Sequence, residues 1–106
     1  MYKLSNLAAD DFSTIYEYSW RQFGPLQADK YTNELDLFLR LLAKNPLMGR
    51  DIHIIEGVRR HDHGQHAIFY QMQNDGIFVV RILHQQMNPL IHLQGVFHSS
   101  SFPPSS

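Results

Sequence analysis

Residues 77–84 read Ile-Phe-Val-Val-Arg-Ile-Leu-His, and this nearly all-apolar run indicates the fold of the chain. Its short length and β-branched residues predict a strand, and its lack of polar alternation is typical of a central strand covered on both faces. Two more strand-like runs precede it, at residues 55–61 and 65–73, and the intervening His63-Gly64 and Asn74-Asp75-Gly76 are typical of hairpin turns. The sequence therefore predicts a three-stranded antiparallel meander.

Two helices are predicted ahead of the meander, after a short strand at residues 2–5. Asp10 or Asp11 can cap the first helix, and Gly24-Pro25 ends it, because glycine suits the position after a helix and proline suits the first turn of the next. The second helix ends near Asn45-Pro46. Its apolar residues recur at helical spacing along one stripe, namely Ala28, Tyr31, Leu35, Phe38, Leu39 and Leu42. Strand, helical hairpin and meander predict an α+β fold in which the helices cover one face of the sheet.

The composition predicts one intracellular domain. The chain has 106 residues, which suits a single domain at residues 1–97 followed by a flexible Ser/Pro-rich tail at residues 98–106. It has no cysteine, which favours a reducing compartment and hence the cytoplasm, and neither a signal peptide nor a membrane-spanning run is expected. Its formal net charge of -1 disfavours nucleic acid as the main partner.

Five short motifs, placed in order on these elements, give the chain a likeness to a known family. They are Gly24-Pro25, residues 45–50 (Asn-Pro-Leu-Met-Gly-Arg), residues 57–60 (Gly-Val-Arg-Arg), residues 66–70 (His-Ala-Ile-Phe-Tyr), and residues 81–84 (Arg-Ile-Leu-His) with residues 87–93 (Met-Asn-Pro-Leu-Ile-His-Leu). In this order they resemble the ParE branch of the ParE/RelE toxin superfamily over nearly the whole chain.

The resemblance implies a toxin that is held in check by a cognate antitoxin, which wraps around the toxin and is partly disordered when free. For the ParE branch it also implies DNA gyrase as the target, without a cofactor, a metal, a membrane partner or sequence-specific binding of nucleic acid. Relatives on the same fold cleave messenger RNA at the ribosome, so fold alone does not decide the activity. A ribosome-dependent endoribonuclease and a degenerate toxin with a different target stay open as alternatives.

Residue 67 argues against RNA cleavage. That reaction requires a base, an acid and a cation that stabilises the charge of the phosphorane. RNA-cleaving relatives commonly carry an arginine just before the hydrophobic pair and tyrosine of the third strand, and the corresponding residue here is Ala67. Where those relatives place further basic or tyrosine residues, residues 85–88 read Gln-Gln-Met-Asn. The sequence therefore predicts no catalytic residue.

The seven histidines raise the alternative of a metal site. His61, His63 and His66 lie close together in sequence, and His84 and His92 could approach them in space. Three imidazoles with an open position could activate water on zinc. A turn separates His63 from His66 and no carboxylate motif accompanies them, so the sequence predicts no metal site.

Partner-binding residues are predicted on two surfaces. The target is expected at the end of the central strand and at an arginine pair, through Arg81, His84, Met87, Asn88, His92, Arg59 and Arg60. Because Arg81 interrupts an apolar strand, its charge also needs a partner. The resemblance implies that the antitoxin lays a helix on apolar surface, and the candidates are Tyr18, Trp20, Leu37 and Leu41.

Overall fold

The chain folds into one mixed sheet with two helices packed against one of its faces. The computed structural model describes residues 1–93, and the predicted tail at residues 98–106 lies outside that range. The elements in chain order are β1 Tyr2–Leu4, α1 Asn6–Phe23, α2 Pro25–Lys44, a 3-10 helix at Pro46–Met48, β2 Arg50–Asp51, β3 Val58–His63, β4 His66–Gln73 and β5 Gly76–His84. Residues 89–93 are again helical. Within residues 1–93, no helix has the length and apolar character needed to cross a membrane.

The strands are arranged in the order β1-β5-β4-β3-β2. β1 runs parallel to β5, and all other neighbours are antiparallel. The predicted α+β class is confirmed, with its N-terminal strand, its helical hairpin and its meander. The sequence does not predict β2, because Arg50 and Asp51 are exposed edge residues without an apolar pattern.

The first helix begins earlier than predicted, with Ser5 as its cap. Ser5 Oγ accepts a hydrogen bond from Ala8 N (3.0 Å) and donates one to Val80 O (2.8 Å). Asp10 and Asp11 lie inside α1, so the prediction that one of them caps the helix is wrong. The physical reason is that the chain turns into the helix directly after β1 has paired with β5, and the Ser5 hydroxyl lies at that turn.

The second helix follows the first without a loop. Gly24 joins them with φ at 88°, in the region that favours glycine, and Pro25 is the first residue of α2. The predicted apolar stripe is confirmed, since four of its residues are buried (Ala28, Leu35, Leu39 and Leu42) and two are half-buried (Tyr31 and Phe38).

Both faces of the sheet are covered, as the apolar run of β5 predicts. The cluster under the helices includes Leu35, Leu39, Ile68, Tyr70, Ile77, Val79 and Ile82. The cluster on the opposite face consists of Val58, Ala67, Phe69, Val80, Leu83 and Leu93. Phe69 pairs with Arg81 and Tyr70 pairs with Val79, so Val80 is an extra residue that makes a bulge in β5. A bulge of this kind re-aims the neighbouring side chain, and that neighbour is Arg81.

The buried hydroxyl of Tyr70 fastens the turn after α2 to the sheet. Tyr70 Oη donates to Pro46 O (2.7 Å) and accepts from Gly49 N (3.0 Å), and a Cβ at Gly49 would collide with it. The guanidinium of Arg59 donates two hydrogen bonds to Gly49 O. Three of the five sequence motifs therefore meet at this turn, where they hold one another in place.

Candidate functional site

A cleft of about 490 Å³ opens at one end of the sheet, between α1 and the ends of β4 and β5. Its walls include Asp11 and Tyr18 from α1, and His66, His84 and Met87 from the sheet end. Its volume lies in the range of ordinary ligand pockets. The sequence assigns His84 and Met87 to target binding and Tyr18 to antitoxin binding, and the structure brings the three together.

His66 lines the cleft as a neutral imidazole. Tyr31 Oη lies 2.7 Å from His66 Nδ1, and the rings of His66 and His84 meet edge to face with centroids 5.7 Å apart. Burial lowers the pKa of His66 from 6.5 to about 4, with help from the neighbouring His84 and His63. At neutral pH the imidazole of His66 is therefore uncharged, with one ring nitrogen as a donor and the other as an acceptor.

His61 and His63 pack against α2. Their ring centroids lie 5.1 Å and 4.7 Å from that of Phe38, and burial lowers the pKa of His63. Over residues 1–93, no three His, Cys, Asp or Glu side chains are grouped so that they could hold a metal ion. The contacts of these two histidines attach the helix to the β3–β4 hairpin, which is a packing role.

Arg81 forms a two-bond ion pair with Asp11 of α1. Arg81 Nε donates to Asp11 Oδ2 (2.7 Å), Nη2 donates to Asp11 Oδ1 (2.8 Å), and each side chain is 14% exposed. Hydrogen bonding to Asp11 raises the pKa of Arg81. The prediction that this charge needs a partner is confirmed, whereas its contact with a target stays a prediction.

Two predicted target residues in the segment that follows β5, residues 85–93, form hydrogen bonds within the chain. Asn88 Oδ1 accepts from Leu90 N (3.0 Å) and caps the helical residues 89–93. His92 is half-buried, and its carbonyl accepts from Arg81 Nη1 (3.2 Å). Asn88 is therefore engaged through its side chain and His92 through its backbone carbonyl, and the role of both in target binding stays a prediction.

Three large apolar side chains of the 85–93 segment are exposed, beside the exposed polar residues Gln85, Gln86 and Asn88. Met87, Leu90 and Ile91 are 45%, 49% and 66% exposed. The sequence predicts Met87 as a target residue but misses Leu90 and Ile91. The available signal is Asn88-Pro89, which starts a helix and leaves the next residues in a first turn with little to pack against.

Arg59 and Arg60 lie on β3, away from the residues that line the cleft. Arg59 is bonded to Gly49 O. Arg60 Nε donates to Asp62 Oδ1 (2.8 Å), and its guanidinium carbon lies 5.5 Å from the ring centroid of Phe69. Both charges thus have partners inside the sheet, and target binding by these arginines stays a prediction.

The four predicted antitoxin residues are exposed but do not form one surface. Tyr18, Trp20, Leu37 and Leu41 are 61%, 50%, 64% and 47% exposed. Leu37 and Leu41 are one helical turn apart and share a face of α2. Tyr18 and Trp20 are two positions apart on α1, so they point in nearly opposite directions, and Tyr18 lines the cleft.

Ala67 lies in the apolar cluster on the face opposite the helices and is only 1% exposed. Its neighbours in that cluster include Phe69, Leu83 and Leu93. An arginine at this position would place a charge among apolar side chains, at the cost of its hydration. The position where the resemblance puts a catalytic arginine is thus a core position in this chain.

Comparisons with known proteins agree on one family. A family profile described as "ParE toxin of type II toxin-antitoxin system, parDE" matches residues 2–89. "Toxin ParE1" of Caulobacter vibrioides is 37% identical over 93 residues, which cover 87% of this chain and 96% of that protein. "Toxin ParE1" of Mycobacterium tuberculosis is 36% identical over 89 residues, or 82% of this chain and 91% of that protein. A solved structure entitled "Chromosomal ParDE TA system from P. aeruginosa" has the same fold, with a TM-score of 0.67 and 23% identity over 78% of this chain and 92% of that one.

The low pKa of His66 predicts a pH dependence of stability. The pKa of His66 is about 4 in the folded chain and 6.5 in the unfolded chain. Between these pH values the unfolded chain therefore binds a proton at His66 that the folded chain does not bind. The stability contributed by neutral His66 is present above pH 6.5 and is lost as the pH falls towards 4. The melting temperature of the wild type should therefore fall more steeply over this window than that of His66→Gln.

The matched control is His53→Gln, because the side chain of His53 is 86% exposed. This variant should follow the wild-type profile. If the melting temperatures of the wild type and His66→Gln fell equally between pH 6.5 and pH 4, neutral His66 would not be the source of the pH dependence.

Proposed function

This chain belongs to the family of ParE toxins of type II toxin–antitoxin systems, and from that membership we propose that it arrests growth by binding DNA gyrase, without catalysing a reaction. The family profile extends over residues 2–89 and so includes both helices and the whole sheet. A gyrase target would place the action of the toxin in the cytoplasm. We propose that a cognate antitoxin binds the toxin and neutralises it.

The observation that carries the proposal is the burial of Ala67. An RNA-cleaving site needs a cation in contact with the scissile phosphate, and losing one such donor typically costs about 10²–10³-fold in rate. Here the position is an alanine in the apolar cluster formed with Phe69 and Leu83, so this residue supplies no cation. The same cluster includes Leu93, which covers this face of the sheet with a further apolar side chain.

The exposed residues support binding to proteins. Around the sheet end, Tyr18, Met87, Leu90 and Ile91 present apolar surface, and residues 85–93 contain no Lys or Arg. Nucleic-acid binding depends on cations that contact phosphates, whereas apolar and aromatic anchors dominate protein interfaces. This sheet-end surface is the proposed gyrase contact.

The antitoxin is proposed to bind elsewhere, on the strip formed by Leu37 and Leu41. Two apolar side chains one turn apart suit the apolar face of an amphipathic helix. Arg40 and Lys44 lie on the same half of α2 and are exposed, so acidic residues beside the apolar face of the antitoxin would complement them.

Purified toxin, free of antitoxin, should inhibit supercoiling by gyrase and leave messenger RNA intact on translating ribosomes. The reason is that the sheet end exposes the apolar side chains of Met87, Leu90 and Ile91 and that the position of the catalytic arginine is buried. Both assays are run on the same preparation, with an active RNA-cleaving toxin as the positive control for cleavage.

The variant Ala67→Arg sharpens the test. It should lower the melting temperature, because it buries a charge, and it should not create RNA cleavage. Ribosome-dependent cleavage by the wild type would refute the non-enzymatic proposal, whereas intact RNA with unaffected gyrase would point to a different target or to a degenerate toxin.

Changing both Leu37 and Leu41 to Glu should weaken the antitoxin complex by at least about 100-fold in Kd, since anchor residues of an interface contribute ~2 kcal/mol or more each. Titration calorimetry measures the affinity, and circular dichroism checks that the fold is retained. Gyrase inhibition by this double variant should be within about twofold of the wild type, because the strip lies apart from the sheet end.

The matched control is Leu26→Glu, which adds a charge at an 85% exposed position at the start of the same helix. It should leave the antitoxin affinity unchanged. An unchanged affinity of the double variant would remove Leu37 and Leu41 from the interface.

A further inference from the structure

We propose that Asp11 is a positioning residue, which acts through Arg81 to hold residues 85–93 in the conformation that the target protein binds. The inference rests on the proposed function for the identity of the target. It adds a residue that sequence reasoning treats only as a candidate helix cap. It also changes the role of Arg81 from a target contact to the link between Asp11 and the segment.

The carboxylate of Asp11 accepts three hydrogen bonds from β5. Its Oδ2 accepts from Arg81 Nε (2.7 Å) and from Ile82 N (3.0 Å), while its Oδ1 accepts from Arg81 Nη2 (2.8 Å). A carboxylate that accepts two parallel bonds from a guanidinium fixes both its distance and its plane. Asp11 therefore determines where the third nitrogen of that guanidinium points.

That third nitrogen reaches the segment. Arg81 Nη1 donates to His92 O at 3.2 Å, so one side chain connects α1, β5 and residues 85–93. The charge of Arg81 is only 14% exposed and needs a partner. Without the carboxylate of Asp11, the guanidinium would gain by turning towards solvent, and the bond to His92 would be lost.

The other attachments of the segment within residues 1–93 lie mainly at its two ends. Gln86 N donates to His84 Nδ1 (3.2 Å) and Met87 N donates to His84 O (2.9 Å). At its start, Gln85 N donates to Gln65 O (2.9 Å) and Gln85 Nε2 donates to Gly64 O (2.8 Å). At its end, Leu93 is buried in the apolar cluster. Between these points Met87, Leu90 and Ile91 extend into solvent, and the bond from Arg81 attaches the segment at His92, the residue that follows Ile91.

These features fit a partner protein with an apolar surface. The segment carries no Lys, Arg, Asp or Glu, which removes the charge complementarity that RNA or an anionic membrane would use. Met87 also lines the cleft beside Tyr18, which extends the apolar surface towards α1. Holding such a segment in place before binding reduces the entropy that binding must overcome.

The test compares Asp11→Asn with Asp36→Asn in the full-length toxin. Asn at position 11 can still accept from Ile82 N but cannot pair with Arg81 as a carboxylate does. Asp36 also accepts from an arginine, Arg40, one turn along α2, so its variant removes an ion pair away from the segment. Asp11→Asn should weaken gyrase inhibition about tenfold, because the loss of a hydrogen bond to a charged group typically changes an equilibrium constant by at least that factor. Asp36→Asn should leave gyrase inhibition unchanged.

Two further measurements separate positioning from general destabilisation. Antitoxin affinity, which depends on Leu37 and Leu41, should change less than about twofold in Asp11→Asn. Amide hydrogen exchange should become faster in residues 86–92, while α2 keeps the wild-type protection. Arg81→Lys, which keeps the charge but cannot bond Asp11 and His92 together in the same way, should reproduce both effects.

The outcomes also separate this inference from the proposed function. If wild-type toxin does not inhibit gyrase, the target assignment fails, and faster exchange in residues 86–92 of Asp11→Asn still supports the positioning role. If gyrase inhibition and exchange are both unchanged in Asp11→Asn, positioning by Asp11 is refuted. A uniform rise in exchange over the whole chain would refute it as well, because Asp11 would then support only the fold.

Discussion

The carboxylate of Asp11 joins α1 to the second half of β5, through its ion pair with Arg81 and a hydrogen bond from Ile82 N. Among residues 1–93, β1 pairs only with Ile77–Val79, so in this part of the chain the second half of β5 has an edge without a neighbouring strand. The start of α1 covers that edge, where Ser5 Oγ bonds Val80 O and Asp11 bonds Ile82 N. Unpaired backbone groups at a half-buried edge are costly, and these two side chains satisfy them.

The same pair explains how a charge is tolerated in an apolar strand. The bulge at Val80 shifts the alternation of β5, and the neighbouring Arg81 meets a carboxylate rather than the apolar cluster. Removing one partner of such a pair leaves the other charge poorly solvated, which usually costs more than the pair contributes. Arg81 therefore stabilises the structure through its pair with Asp11, and we expect any target contact to come from residues 85–93, which it holds.

Much of the fold follows from local sequence patterns. The apolar run at residues 77–84 predicts a strand covered on both faces, and the stripe from Ala28 to Leu42 predicts the buried face of α2. These elements can be predicted locally because the spacing of apolar residues within each segment indicates which of its faces is buried. β2 has no such pattern and exists because two residues meet the edge of β3. The cap at Ser5 depends on where β1 ends, which is set by a partner strand more than 70 residues away.

The candidate site could be predicted only in part. The sequence predicts His84 and Met87 as target residues at the exposed end of the central strand. The structure has both in the wall of the cleft, and their role in target binding stays a prediction. The partner of Arg81 could not be found from spacing, since Asp11 is 70 residues away. The motifs that carry the family likeness mostly bind one another, as Tyr70 does with Pro46 and Gly49. Buried contacts of this kind identify the fold, whereas the proposed target surface depends on the motif residues that stay exposed, such as Met87, Leu90 and Ile91.

The coupling between Asp11 and Arg81 is the quantity that tests this account most directly. It is measured by urea denaturation of the wild type, Asp11→Asn, Arg81→Met and the double variant, arranged as a double-mutant cycle. The account predicts a coupling of about 1–3 kcal/mol, with the double variant less destabilised than the sum of the two single variants. Additive effects, within about 0.5 kcal/mol, would show that the two side chains act independently and would contradict the account.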